Sequence, residues 1–449
     1  MKSEGKKKAN KVPTKLMLAW NSRSVSMAIS VVLMMQVTYY STEILGIGSA
    51  AVGALFMAAK LFDGVTDLIA GFIIDKTNTK LGKARPYELF IIPLWLLIIA
   101  FYSTPDIGTT GKMNYIFVTY VLINSVCATF LQSCETVFLG RAVKEDAKRA
   151  KILSIGGVIV MLFSAVSSIL LPQLMANLGT QPGGWSKIAL IYGVPMLLIG
   201  ICRFLFVKEI PIDQESEDKN KVGFVEGLKL VAKNKYIFMF SLLVLLSFLL
   251  TNTLSIVGTY YFTYIFGNLG LMSVIGMLSL LSPFFFLLFP VAIRTIGSIS
   301  FVKFGLAVAL IAAVIRFFFP SNLMVIVVTT LLISVGSQTL TMMNHYFILQ
   351  CIDYGEIKTG KRVEGTPTAI ASFANKVGSG VASLLVGGFM ALFGFISSAS
   401  VQTDSAILSI RLLYSVIPAV ILVIMLIVVH FFDVEKVLAK LRPQAEAES

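Results

Sequence analysis

The sequence is short of charge and nearly without histidine: Asp, Glu, Lys and Arg make up 14% of its 449 residues, and there are two His. Soluble domains carry about 25% charged residues. So little charge argues against a soluble hydrolase, and so little histidine against a zinc enzyme. The four cysteines, Cys127, Cys134, Cys202 and Cys351, sit in or beside apolar runs with no disulfide or metal spacing, as small hydrophobes do. No nucleotide-binding loop is present, which excludes direct ATP coupling, and no nucleophile–base constellation points to an enzyme. No cleavable signal peptide is visible either; a basic N-terminus runs straight into an apolar segment too long for one.

What the chain has in excess is apolar surface. Hydrophobic residues reach 56%, there are 33 Phe, and the mean hydropathy is +0.85. This composition describes a protein that crosses the lipid bilayer several times. The net charge of +13 is dispersed in short basic clusters between apolar runs, as orientation signals are, so no nucleic-acid partner is expected. No obligate protein partner is implied.

A crossing needs about 20 mostly apolar residues. Twelve such runs are expected: 16–45, 48–75, 87–104, 113–140, 151–178, 185–207, 236–266, 269–293, 299–319, 321–352, 367–396 and 407–432. They are continuously apolar rather than alternating, so helices and not a barrel are predicted. Lys76, Lys80, Lys83 and Arg85 follow the second run, and Arg141, Lys144, Lys148, Arg149 and Lys151 join the fourth and fifth. Lys358, Lys361 and Arg362 join the tenth and eleventh, while the opposite loops offer only Lys112 and Lys187. The positive-inside rule then puts both termini in the cytoplasm. The predicted organisation is a basic tail (1–15), six helices (16–207), a charged central loop (208–235), six more helices (236–432) and a cytoplasmic tail (433–449). An all-α membrane protein of twelve transmembrane helices in two six-helix halves is the layout of the major facilitator fold.

Ionisable groups inside a span are costly and each needs a reason. Lys60, Asp63, Thr66 and Asp67 recur three or four residues apart, so they share one helix face. Asp63 lies about 22 Å along its run at 1.5 Å per residue, near mid-membrane. Two carboxylates one turn apart cannot both stay ionised cheaply there; they take a proton, a cation or a basic partner. Two carboxylates and the Thr66 hydroxyl suit a hard cation. An ion pair of Lys60 with Asp63 that only holds helices together is the plainer reading, and it leaves Asp67 unexplained.

Span 4 presents Ser125, Thr129, Gln132 and Glu135 about one turn apart, a stripe that usually glues helices. Beside an acidic pair, Thr129 becomes a candidate fourth ligand. In span 11, Asn375 and Lys376 lie among small residues, and a buried lysine needs an acid, for which Asp63 or Asp67 is the simplest choice. Arg23 and Met27 are one turn apart on span 1; Arg23 either faces the interior or snorkels to the surface. Tyr260-Tyr261 reads equally as a polar contact or an interfacial belt.

At the end of span 2, Gly71 permits close helix approach and Asp75 leaves the membrane beside a basic loop with Lys83 and Arg85. Together they read as a latch whose contacts hold one face closed. Arg149 and Arg362 occupy basic loops on the same side and are expected to take part in gating.

These residues carry a resemblance. G-x-x-x-D followed by a basic loop resembles the loop 2–3 motif of the major facilitator superfamily. Lys60 to Asp67, continued to Arg85-Pro86, is similar to the glycoside–pentoside–hexuronide:cation symporters, the melibiose permease group. Tyr40 to Gly46, Asp353-Tyr354-Gly355-Glu356, Lys358 to Arg362 and Lys376-Val377-Gly378 match the same group, so the resemblance covers most of the chain. It implies cation-coupled symport of a sugar or glycoside in the cell membrane, with no cofactor beyond a coupling cation, Na⁺, Li⁺ or H⁺. It places that cation (a metal ion if Na⁺ or Li⁺) on Asp63, Thr66, Asp67 and Thr129, and makes Lys376 the link to the solute. The family's pattern has Asn where Thr66 stands. Its two sugar-holding acids align with Met27 and Gln132, so a galactoside held by paired acids is not expected. With Arg23, Met27, Gln132, Asn375 and Lys376 around the solute, an acidic glycoside such as a hexuronide is expected if Arg23 points inward. A neutral glycoside is expected if it does not. Cation-coupled transport of an amphipathic lipid or other polar organic solute is the alternative, and a non-transporting sensor is disfavoured for want of an extramembrane domain.

Overall fold

The computed structural model describes residues 13–143, 145–209, 234–360, 365–399 and 401–448. The expected runs are helical. The first is α1, Thr14–Ile44, and the second α2, Ser49–Lys76. Next come α3, Ile91–Phe101, entered by the 3-10 turn Arg85–Phe90, and α4, Gly108–Ala142. α5 is Asp146–Leu178 and α6 is Gly184–Phe206. After the central loop come α7, Lys235–Tyr264, and α8, broken into Met272–Ser279 and Ser282–Ile296. α9 is Ser298–Phe318, α10 Leu323–Thr359, α11 Gly365–Leu392 and α12 Asp404–Phe431. Asn234, Asn322 and Thr403 start α7, α10 and α12 by accepting backbone N–H bonds from the first turn.

Nine helices among the described residues are long and apolar enough to cross a membrane. They leave out α2, which carries Lys60, Asp63 and Asp67, the short α3 and the broken α8. Large apolar side chains cover the outside, including Leu198 at 61%, Phe284 at 67% and Phe318 at 68% exposure. Water would not tolerate so continuous an apolar coat; lipid requires it.

The stretch expected as a C-terminal tail has structure of its own. Val434–Glu448 form α13, whose Val434 and Leu438, one turn apart, are buried in the core with α7 and α10.

The buried core separates at the central loop. Two clusters draw their buried residues from 19–207 and two from 236–438. The groups meet chiefly where α2 crosses α11. A Cβ on Gly53 would lie 2.6 Å from the Ser383 carbonyl oxygen, and Gly387 sits equally tightly against Ser49. Such close backbone approach is what small residues allow between membrane helices.

Hydrogen bonds between the groups cluster at the end of the bundle away from the termini. Thr42 and Tyr260 share one at 2.6 Å, Thr259 donates to Gln36 at 2.9 Å, and Tyr264 donates to Glu43. Ser397 donates to Ile47 O at 2.9 Å and Ser398 to Glu43 O at 2.8 Å. Tyr260 and Tyr261 are therefore not an interfacial belt. Both are fully buried, and Tyr261 donates to Pro320 O at 2.6 Å.

Candidate functional site

Lys60, Asp63, Thr66 and Asp67 run down α2 at the interface with α4 and α11. Asp63 is 1% exposed and Asp67 about a third. The Thr129 hydroxyl lies 3.2 Å from Asp63 Oδ1 and 2.8 Å from Asp67 Oδ1, shared between the two carboxylates. Lys376 Nζ stands 2.5 Å from Asp63 Oδ2 and 3.5 Å from Asp67 Oδ2. Lys60 Nζ is 3.8 Å from Asp63 Oδ2 and also lies over the Tyr120 ring. Two carboxylates thus meet two ammonium groups, and the Asp63–Lys376 contact joins helices from the two groups.

Thr129 is aimed by a backbone feature that periodicity cannot show. Residues Leu122–Ala128 of α4 form a π-helical stretch, a wider turn that shifts the register of the residues after it. Thr66 is placed differently from Thr129: its hydroxyl donates to the Asp63 carbonyl oxygen of its own helix at 3.0 Å.

A central cavity of about 190 Å³ borders the cluster, lined in part by Met27, Asn124, Gln132, Asn252, Lys376 and Ser379. Three expected solute residues, Met27, Gln132 and Lys376, are in its wall. Asn375 stands behind it, accepting a long 3.5 Å bond from Ser379, to which Asn252 donates at 3.2 Å.

Arg23 is not in that wall, and it does not snorkel. It is buried at 1% exposure, with Nε 3.3 Å from Glu88 and Nη2 3.2 Å from Glu135. Residues four apart on a helix differ in direction by about 40°. That is enough here for Met27 to meet the cavity while Arg23 turns to the 3-10 turn before α3 and to α4. Arg203 of α6 completes a quartet, 3.6 Å from Glu88 and 3.4 Å from Glu135.

The expected latch residues are likewise rearranged. A Cβ on Gly71 would meet nothing within 4 Å among the described residues, so the expected close approach is not at Gly71; on α2 it occurs at Gly53 and at Gly64, against Phe373. Arg85 donates twice to Phe204 O, at 3.2 and 2.9 Å, tying the α2–α3 loop to the end of α6. Arg149 donates to Val143 O and Gly140 O, closing the end of α4. The Asp75 side chain and Arg362 lie outside the described residues.

The firmest hold on that loop is Glu209, which sequence reading counted only as loop charge. Its carboxylate accepts the backbone N–H groups of Lys83, Ala84 and Arg85 at 2.9, 2.9 and 3.1 Å, with Arg141 Nε at 3.6 Å. Successive N–H groups form a nest for an anion. Glu209→Ala should therefore speed amide exchange of residues 83–85 by about tenfold or more, since each bond to a charged group contributes roughly 1.5–3 kcal/mol. Unchanged exchange would show that the loop is held otherwise.

An all-helical bundle with an apolar coat, a central polar cavity and a charge cluster joining its two groups has the architecture of a multi-pass membrane transporter. The chain matches the family described as MFS/sugar transport protein over residues 23–436, and it belongs to that family. The symporter YnaJ of Bacillus subtilis (strain 168) is 28% identical over 411 residues, covering 89% of this chain and 87% of that one. The isoprimeverose transporter of Lactiplantibacillus pentosus is 26% identical over 415 residues, 91% and 86% of the two chains. A crystal structure of a bacterial homolog to the human lysosomal transporter Spinster shares the fold. It has a TM-score of 0.69 at 13% identity and covers 95% of this chain and 97% of that one. The chain is a secondary transporter of sugar-type solutes.

Proposed function

We propose that this transporter is a cation-coupled symporter of a sugar or glycoside. In this reading it has twelve membrane spans in two six-helix halves and works by alternating access in the cell membrane, with both termini cytoplasmic. The observation that carries it is Lys376 Nζ held 2.5 Å from buried Asp63, with Thr129 bridging Asp63 and Asp67. Asp63, Asp67 and Thr129 offer oxygen atoms alone, which suits Na⁺, Li⁺ or a proton. A cation taking those oxygens displaces the Lys376 ammonium toward the cavity, where it can meet a solute oxygen. Cation and solute then favour each other reciprocally, by about 1–3 kcal/mol, or roughly 5- to 150-fold in affinity. The basic loops at the end carrying the termini support the orientation. The bonds from Thr42, Glu43 and Ile47 to the second half are then the extracellular closure, which must break for the other state.

The test is glycoside uptake into proteoliposomes under imposed Na⁺, Li⁺ or H⁺ gradients. Uptake indifferent to all three would overturn the coupling. Within that assay Thr129→Val should raise the half-saturating cation concentration by about tenfold, from the loss of one bond to a charged group. Thr66→Val should have the smaller effect, its hydroxyl being spent on its own helix. The reverse order would make Thr66 the ligand.

A further inference from the structure

Arg316 of α9 is as buried as Arg23 and Arg203, at 1% exposure. Those two are balanced by Glu88 and Glu135. Arg316 is bonded only to neutral acceptors: Nε donates to Thr329 Oγ1 at 3.2 Å, Nη1 to Tyr414 O at 3.2 Å, and Nη2 to Thr330 Oγ1 at 2.7 Å. Its guanidinium also lies 4.3 Å from the centre of the Tyr414 ring. No carboxylate stands within 4.0 Å of it among the described residues. A guanidinium has five N–H donors, so these three bonds leave it able to make more. A buried cation without a counter-charge is costly, and chains retain one where function needs it.

Arg316 lies in the wall of a second cavity, of about 290 Å³. The same wall carries Gln36, Thr330, Ser334, Gln338 and Tyr414, hydrogen-bonding groups without a negative charge. Met35 and Ser255 line this cavity and the central one alike, so the two adjoin. The volume is at the lower edge of small-molecule sites, which run from about 300 Å³ upward, and fits a small sugar acid better than a lipid.

We propose that Arg316 binds the carboxylate of the transported solute, so that the substrate class is an acidic glycoside such as a hexuronide. The inference rests on the symporter reading and assigns the acid-recognising role, which Arg23 cannot fill, to α9. The guanidinium fork matches a carboxylate in two parallel bonds, and the hydroxyls and amides around it suit sugar hydroxyls. Asp63 and Asp67 have Lys60 and Lys376 beside them, whereas the acceptors bonded to Arg316 are all neutral.

The experiment is equilibrium binding to purified protein in nanodiscs of phenyl β-glucuronide and phenyl β-glucoside, which differ only at C6, a carboxylate in the first and a hydroxymethyl group in the second. The glucuronide should bind about tenfold to 100-fold more tightly, the range of a bond to a charged group. Arg316→Gln should remove that preference, and Arg316→Lys should keep part of it. Ser334→Asp, one helical turn from Thr330 in the same wall, supplies an internal carboxylate. It should erase the preference even if Arg316→Gln does not fold. Equal binding of the two glycosides by the parent, or an undiminished preference in Arg316→Gln or Ser334→Asp, overturns the inference and leaves symport standing. Failure of both compounds to bind the parent in Na⁺, Li⁺ or acid overturns the glycoside reading and the inference with it.

Discussion

If the charge cluster couples transport as proposed, Asp63→Asn should abolish cation-stimulated accumulation of solute while the protein still inserts and purifies as a folded monodisperse species. Asp63 is 1% exposed and carries Lys376 at 2.5 Å, Lys60 at 3.8 Å and Thr129 at 3.2 Å, so its charge organises the whole cluster. An amide keeps the shape and removes the charge. The cation then keeps Asp67, a third exposed, as its sole carboxylate, and its affinity should fall by 100-fold or more, about 3 kcal/mol, from losing a charged ligand. Asp67→Asn should also lose coupling, by a smaller factor in affinity because its side chain is partly solvated. A double variant, Asp63→Asn with Lys376→Gln, tells coupling from stability. Removing both partners relieves the stranded lysine, so thermal stability should recover toward the parent, while coupling stays lost. Cation-driven accumulation by Asp63→Asn at the parent level would refute the site. Recovery of transport in the double variant would mean that the ion pair merely fastens the halves.

The features legible in the sequence are those set by local forces. Long apolar runs specify helices wherever water is absent, and the twelve expected runs are helical over the residues described, although α3 is short and α8 is broken at Leu280–Leu281. The polar stripe of α2 was legible because helical spacing alone puts Lys60, Asp63, Thr66 and Asp67 on one face. Lys376 was legible as a buried charge in need of a partner. Tertiary choices were not. Arg23 had acids within reach only after α3 and α4 folded against α1, and Glu88 gave no sign of burial because it stands at the mouth of a run beside a basic loop. The π-helical stretch before Thr129 leaves periodicity intact to the eye and changes where the hydroxyl points. Arg316 near the end of an apolar run looks like a snorkelling residue, and only the packing of α10 and α12 around it shows that its partners are neutral.

The buried quartet of Arg23, Arg203, Glu88 and Glu135 makes the second large prediction, on stability rather than coupling. Arg203 donates to Trp20 O at 2.6 Å and to Ser24 at 2.7 Å, and lies 4.1 Å from the Trp20 ring centre, so it binds α1 to α6 even without its acids. Arg23 depends on them: its Nε and Nη2 are near carboxylates but have no aligned hydrogen-bond acceptor among the described residues. Glu88→Gln leaves two buried guanidinium groups facing Glu135 alone, itself 34% exposed. Breaking a buried pair in this way costs about 3–5 kcal/mol, which should appear as a marked fall in the thermal unfolding midpoint in detergent. Arg23→Met added to Glu88→Gln restores one cation to one anion, Arg203 with Glu135. The double variant should therefore lose less than the sum of the two single changes, a coupling of about 0.5–3 kcal/mol. Additive losses would show that the quartet is not an electrostatic unit. A second readout separates structure from recognition: Arg23→Met should leave the glucuronide-to-glucoside binding ratio of the folded fraction unchanged, because its charge is directed at Glu88 and Glu135. If that ratio fell tenfold without loss of stability, Arg23 would take back the solute-binding role that its burial among α1, α3 and α4 denies it.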